Sequence, residues 1–319
     1  MKKIIVILFG FGIVSFSSAQ DKQYSFADLE AMNGQIQSMV YQQFSETALK
    51  IYYNKAEGKT GLKPAILFMH GGAWTGGSAS TFFPYINYFA LRGMVGISVD
   101  YRLIAKETDD IMNCIADCRA AIRFVKLHAK ELGVDTNQIV ISGESAGGHL
   151  AACMVMLELA ERKNQQAPAK ALVLFNPVLN LATPTFIKYL DAGLLKKKNI
   201  SADSLMTQES LVAKAKAISP LFLSYQQVPK TLLINGTEDK TTPPHFAEQF
   251  AQNLNQEGSC KLVLLPNTAH AFAVAHYRAP EAITVSALET VDLFLKEAKL
   301  IKGNPIIKSS GDPNWIIKR

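Results

Sequence analysis

The sequence predicts an α/β protein with a mostly parallel central sheet of about eight strands, helices on both faces and a helical cap inserted near one end. Three observations carry this. The runs at 64–69 (PAILFM), 94–99 (MVGISV) and 171–175 (ALVLF) are apolar throughout rather than alternating, as in strands buried on both faces. Stretches with helical spacing separate them, so the strands are joined by right-handed crossovers. Between Pro177 and Pro229 the chain is polar and helical and has no strand run, which marks an excursion away from the sheet.

In chain order, residues 48–53 form a strand, and 64–69 form another that ends at His70-Gly71-Gly72. Residues 80–92 read as a helix, interrupted early by Pro84 and stopped by Gly93. A strand at 94–99 leads to a helix over 109–132 that ends at Gly133. A strand at 138–142 (QIVIS) and a helix at 146–160 follow. Residues 171–175, 231–234 and 261–265 are further strands, and 246–254 and 282–298 are helices. The cap is placed at 180–228, and the stretch 21–44 is expected to add to it.

The first nineteen residues are set apart. Met1-Lys2-Lys3 is a short basic start, residues 4–14 are almost wholly apolar, and Ser17-Ser18-Ala19 offers small residues for cleavage before Gln20. This reads as a secretory signal peptide at 1–19 and implies a secreted or periplasmic protein. Its apolar core is short for a membrane span, and no cysteine follows it, so no stable membrane anchor is expected. The domain proper is placed at 20–302, with an extension at 303–319.

The 319 residues carry a formal charge of +6, or +4 once Lys2 and Lys3 are set aside. Lys196-Lys197-Lys198 is the one basic cluster and reads as a solvated surface stretch, so no nucleic-acid partner is expected. Cys114, Cys118, Cys153 and Cys260 match neither a disulfide framework nor a zinc site and read mainly as core filling, with one bridge left open. Composition does not set the oligomeric state.

The chemistry concentrates at ISGESAGGH, residues 141–149. Gly-x-Ser-x-Gly between a strand and a helix is the pattern of a sharp turn that lifts a serine hydroxyl into a cleft. Ser145 is therefore the candidate nucleophile, and it lies at the positive end of the following helix. A serine needs a base and a group to orient that base. Among six histidines, His270 follows the last sheet strand and is the candidate base, with His276 in reserve. Asp239 follows the strand at 231–234 and is the candidate acid, with Glu238 as its substitute. Backbone N–H groups of Gly72, Ala73 and Ala146 are candidates for an oxyanion hole, the Gly-rich loop letting a substrate approach closely. Trp74 either lines the pocket or packs the loop, and His70 reads as a brace.

These pieces together resemble the α/β-hydrolase superfamily. The likeness lies in its esterase/lipase branch, among hormone-sensitive-lipase-like enzymes, feruloyl and acetyl xylan esterases and kynurenine formamidases. The matching stretches are HGGAW at 70–74, DYRL at 100–103, the helix at 117–129, GVDTNQIVISGESAGGHLA at 133–151, GTED at 236–239 and AHAF at 269–272. The resemblance implies a triad of Ser145, Asp239 and His270 and an oxyanion hole at Gly72, Ala73 and Ala146, with no metal or organic cofactor. It reads Asp100, Tyr101 and Arg102 as an ion-paired brace and Glu144 as support. HGGAW stands where lipase-like members have HGGG, which is nearer the feruloyl-esterase and formamidase side.

The leading expectation is thus a secreted serine carboxylesterase acting on a small-molecule or glycan-linked ester, such as an acetylated or feruloylated carbohydrate. An amidase, peptidase or formamidase using the same triad is the second reading. A non-catalytic binding protein on a hydrolase fold is the third.

Overall fold

The computed structural model describes residues 22–44, 47–56, 61–105, 109–161, 168–196, 201–256, 259–274, 277, 279–308 and 316–318. The expected signal peptide and the reserve base His276 lie outside the described residues. The elements are α1 (Phe26–Ala31), β1 (Gln37–Gln43), β2 (Ala48–Asn54), β3 (Lys63–Met69), α2 (Phe83–Leu91), β4 (Val95–Val99), α3 (Ile111–Leu127), α4 (Ala129–Leu132), β5 (Val134–Glu144), α5 (Ala146–Glu161), β6 (Ala171–Phe175), α6 (Ala192–Lys196), α7 (Ala202–Met206), α8 (Glu209–Ala217), β7 (Lys230–Gly236), α9 (Pro244–Asn255), β8 (Cys260–Leu265), α10 (Glu281–Glu297) and β9 (Ile316–Lys318).

One nine-stranded sheet has the order β1-β2-β4-β3-β5-β6-β7-β8-β9. The six strands from β4 to β8 run parallel, and β1, β2 and β9 pair antiparallel at the two ends. This is the mostly parallel sheet, covered by helices on both faces, that the uniformly apolar runs predict. Alternate residues of one strand feed two cores. Ala65, Leu67 and Met69 of β3 pack with the side of the sheet that carries α3, α5 and α9. Ile66 and Phe68 pack with α1, α2 and α10. A fully buried Phe or Leu contributes about 1.5–3 kcal/mol, so the sheet is anchored from both faces.

Local chemistry explains the boundaries. Pro84 sits in the first turn of α2, where no N–H is needed, so it helps start that helix instead of interrupting it, and a short 3₁₀ turn (Ala79–Phe82) precedes it. Gly93 and Gly133 adopt φ of +85° and +76° and end their helices. The helix expected over 109–132 divides at His128 into α3 and α4.

The stretch 21–44 does not join the cap. It supplies α1, which packs on α2, and β1, an edge strand paired with β2. Met39 and Tyr41 of β1 pack inward, and the Tyr41 hydroxyl donates to the Asp100 carbonyl at 2.6 Å. The polar alternate positions concealed this strand. The C-terminal extension is partly built in. Tyr24 N–H donates to the Ile306 carbonyl (2.8 Å), Lys308 N–H donates to the Tyr24 carbonyl (2.7 Å), and Ile306 and Ile307 are buried.

Between β6 and β7 lie α6, α7, α8 and two 3₁₀ turns (Ile187–Leu190 and Pro220–Phe222). Cys114, Cys118 and Cys153 are buried, and all four cysteines are unpaired thiols.

Candidate active site

The site lies beyond the carboxyl ends of β5 to β8, where ligands bind in parallel sheets. Ser145 has φ of +54°, a left-handed conformation that a side-chain-bearing residue adopts only when its surroundings impose it. Here they do. Its N–H donates to the Phe175 carbonyl (3.0 Å), and its carbonyl accepts from the N–H groups of His149 (3.0 Å) and Val178 (3.2 Å). The flanking glycines permit the turn by close approach. A Cβ on Gly143 would lie 2.2 Å from the Gly147 carbonyl oxygen, and one on Gly147 would lie 2.1 Å from that of Met69.

From this turn the Ser145 hydroxyl meets His270, with Oγ 2.8 Å from Nε2. On the other side of the ring, Nδ1 is 2.7 Å from Asp239 Oδ2. Asp239 is held in turn. Its Oδ1 accepts from the N–H groups of Thr241 (2.9 Å) and Thr242 (2.8 Å), and its Oδ2 accepts from the Thr242 hydroxyl (2.7 Å). With Nδ1–H donating to the carboxylate, Nε2 keeps its lone pair for the serine proton. Ser145 and Asp239 are buried, and the His270 side chain is 11% exposed. The substitute acid, Glu238, is exposed, and the carboxylate that contacts the ring is that of Asp239.

The loop after β3 completes the wall. Gly72, Ala73 and Trp74 all have positive φ (+110°, +52° and +60°), and the Gly72 carbonyl accepts from the N–H groups of Thr75 and Gly76. Gly72 and Ala73 line a cavity of about 420 Å³ together with Ser145 and His270. Val178, Phe186 and Val274 give it an apolar side, and Tyr277, largely exposed, stands at its rim. Ala146 is buried as the first residue of α5.

Trp74 does not line this cavity. It is fully buried behind the loop, edge-on to His149 (centroids 5.3 Å apart) and Phe186 (6.1 Å), because its left-handed backbone turns the indole inward. His70 stacks on Tyr101 at 4.3 Å, its Nδ1 donates to the Gly71 carbonyl (2.8 Å), and burial lowers its pKa to about 4. Arg102 does form the expected ion pair, but with Asp117 of α3. Both guanidinium contacts are 2.8 Å, so the brace ties the loop after β4 to a helix.

Two site residues escaped the sequence reading or were underweighted by it. Asn176 follows β6 directly, so the rule that chemistry follows strands points to it as well. Its φ is +32°, its carbonyl accepts from the Thr242 hydroxyl (3.2 Å), and its Nδ2 donates to Glu144 Oε1 (2.7 Å). Glu144 is buried, with Oε1 3.9 Å from His270 Nε2. Burial raises its pKa, while His270 and the Asn176 amide pull it down and Asp239 pushes it up.

Comparison with known proteins follows the same lines. The BD-FAE family pattern matches residues 49–254. A probable isoprenylcysteine alpha-carbonyl methylesterase of Oryza sativa subsp. japonica is 26% identical over 74% of this chain and 58% of its own length. Esterase LipU of Mycobacterium tuberculosis is 30% identical over 75% of this chain and 79% of its own. The chain spans 50 to 60% of the length of several of the curated relatives it matches. Among solved structures, Thermogutta terrifontis esterase 2 with propionate bound superposes with a TM-score of 0.70 at 33% identity, covering 85% of this chain and 97% of that one. A butyrate-bound structure of that esterase gives 0.70 and 35%, over 85% and 98%.

Proposed function

Because this chain belongs to the BD-FAE family, in the esterase branch of the α/β-hydrolases, we propose that it hydrolyses carboxylic esters through an acyl-enzyme formed on Ser145. The observation that carries this is the unbroken chain of contacts from Ser145 Oγ through the His270 ring to Asp239, at 2.8 and 2.7 Å. Ser145 attacks the ester carbonyl carbon as His270 Nε2 takes its proton. Asp239 holds the ring and offsets the charge of the imidazolium. The N–H groups of Gly72, Ala73 and Ala146 receive the oxyanion, an arrangement in which each donor is worth about 3–4 kcal/mol. The imidazolium then protonates the departing alcohol. Water, deprotonated by His270, releases the acid and returns Ser145 to its resting form.

The substrate carries a short acyl group, acetyl to butyryl. The compact apolar side formed by Val178, Phe186 and Val274 supports this, as do the propionate and butyrate bound by the related Thermogutta esterase. The alcohol, a carbohydrate or another polar group, stays at the open mouth beside Tyr277; a feruloyl chain would need that same mouth. The basic, apolar and small-residue pattern of residues 1–19 supports export to the periplasm or beyond.

The test is a panel of acetyl, butyryl, longer-acyl and feruloyl esters, with a matched amide, assayed on the wild type and on Ser145→Ala. Short esters are expected to be cleaved fastest and the variant to be inactive though folded. Undiminished turnover by Ser145→Ala would end this assignment, and faster amide cleavage would redirect it to an amidase. Fractionation of cells expressing the full chain reads out export.

A further inference from the structure

Resting on the ester hydrolysis just proposed, we infer that a second cavity, beside the loop after β3, is a subsite for the alcohol half of the substrate and takes a polyhydroxylated ring. The ring that bears the ester stays at the mouth of the reaction cavity, and the next ring of an oligosaccharide sits in the second. This cavity measures about 510 Å³, within the range of about 300–1,000 Å³ for small-molecule sites. Its walls are the turn between β1 and β2, the stretch after β4 and the loop after β3.

Gly77 borders both cavities. Its φ is +88°, and a Cβ there would lie 2.4 Å from the Gly71 carbonyl oxygen and 2.6 Å from His70 Nδ1. A side chain is therefore excluded, and the partition at this point is bare backbone. An alcohol that leaves the reaction cavity past Gly77 enters the second one.

The walls select a donor of hydrogen bonds. His70 lines the second cavity and is 2% exposed. Its Nδ1–H is committed to the Gly71 carbonyl, so Nε2 carries a lone pair. Among the described residues Nε2 has no hydrogen-bond partner, yet it is not sealed in. It is a buried acceptor waiting for a hydroxyl. Asp100 and Asp109 add carboxylates to the same walls, and Thr47 and Ser78 add hydroxyls.

Anions and cations fit less well. Arg102 is the one cation among the described lining residues, and it is spent on Asp117 and on the Phe44 ring, 4.4 Å from its centroid. An anion thus finds no counter-charge. The Asp100 carboxylate already accepts from the Tyr52 hydroxyl and the N–H groups of Ala79 and Lys50, and burial raises its pKa, so it offers little to an ammonium ion. Asp109 Oδ2 accepts from the Ala105 N–H at 3.1 Å. A neutral, hydroxyl-rich ring matches this set, with Phe44 and Leu49 for its C–H faces. Phe44 and Thr47 lie before the stretch 49–254 that matches the family pattern, so this wall lies outside that match.

The test uses a monoacetylated trisaccharide, the matching monosaccharide ester and p-nitrophenyl acetate, which is too small to reach the second cavity. They are assayed on the wild type and on Thr47→Trp and Ala105→Trp, two exposed lining positions where an indole would fill the space. The wild type is expected to favour the trisaccharide over the monosaccharide ester. In each variant kcat/KM for the trisaccharide, relative to p-nitrophenyl acetate, is expected to fall about tenfold, mainly through KM. Calorimetric binding of the unacetylated trisaccharide to Ser145→Ala should weaken as much when Thr47→Trp is added. An unmoved ratio in both variants overturns the inference, as does binding of tetramethylammonium without binding of the saccharide. If neither variant folds, the wild-type comparison decides, and equal use of the two sugar esters overturns it. Cleavage of all three esters by Ser145→Ala instead overturns the triad reading beneath it.

Discussion

The turn around Ser145 and the cap beside it line one cavity but are held by different kinds of contact. The turn is fixed by main chain against main chain: Gly143 against Gly147, Gly147 against Met69 and His70, and Ser145 bonded to Phe175 and Val178. The cap is tied by a few backbone bonds, such as Ala192 N–H to the Asp109 carbonyl and Leu221 N–H to the Leu179 carbonyl, and by side chains. The Ile218 carbonyl accepts from His149 Nε2 (2.8 Å) and the Cys153 thiol (3.1 Å), the Ser219 hydroxyl ties Leu181 to Ala215, and Phe186 leans on Trp74. Backbone contacts leave almost no freedom to vary, whereas side-chain contacts can be exchanged. The contrast separates what must be constant for the chemistry from what can be retuned for the substrate.

That contrast can be broken or sharpened by experiment. The largest effect is expected from Asp239→Asn, which leaves the fold intact but frees the imidazole to present the wrong tautomer. kcat should fall by about 10³–10⁴, measured by steady-state hydrolysis. Next is Gly147→Ala, whose new methyl meets two carbonyl oxygens of β3 and its loop. A loss of about 3 kcal/mol or more is expected in chemical denaturation, and a well-folded, fully active variant would contradict the backbone argument.

Acid should strain both regions. Burial lowers His70 and His149 to about 4, against about 6.5 in an unfolded chain. Between those values the unfolded state binds the extra protons, so stability falls as pH drops from 6.5 toward 4, by up to about 3 kcal/mol per histidine. Thermal unfolding followed across this range should show that fall, and His149→Gln should flatten it. The smallest effect belongs to Phe186→Leu. It should shift acyl-chain preference up to about tenfold toward longer chains, with about 1 kcal/mol lost in stability. A change in catalysis as large as that of Asp239→Asn would erase the distinction between turn and cap.

Much of this was legible in the sequence because it is encoded locally. The six parallel strands read from apolar runs, and the positions of Ser145, Asp239 and His270 read from their places just after strands. What was not legible depends on partners far along the chain. β1 is a polar edge strand that only Met39 and Tyr41 tie to the core, so its composition resembles a loop. β9 has three residues and acquires its identity from pairing with β8. Trp74 could be assigned to wall or packing only once Phe186 and His149 were seen against it. Glu144 gained its meaning from Asn176 and His270, which are 32 and 126 positions away.

Four neighbouring strands, β5, β6, β7 and β8, each hand over one participant at the same edge: Ser145, Asn176, Asp239 and His270. No shorter span of the chain contains the whole set, and pairings this distant close slowly during folding. With the activity proposed above, regain of turnover after dilution from denaturant would count only molecules whose parallel strands have all come into register, a stricter gauge of renaturation than circular dichroism.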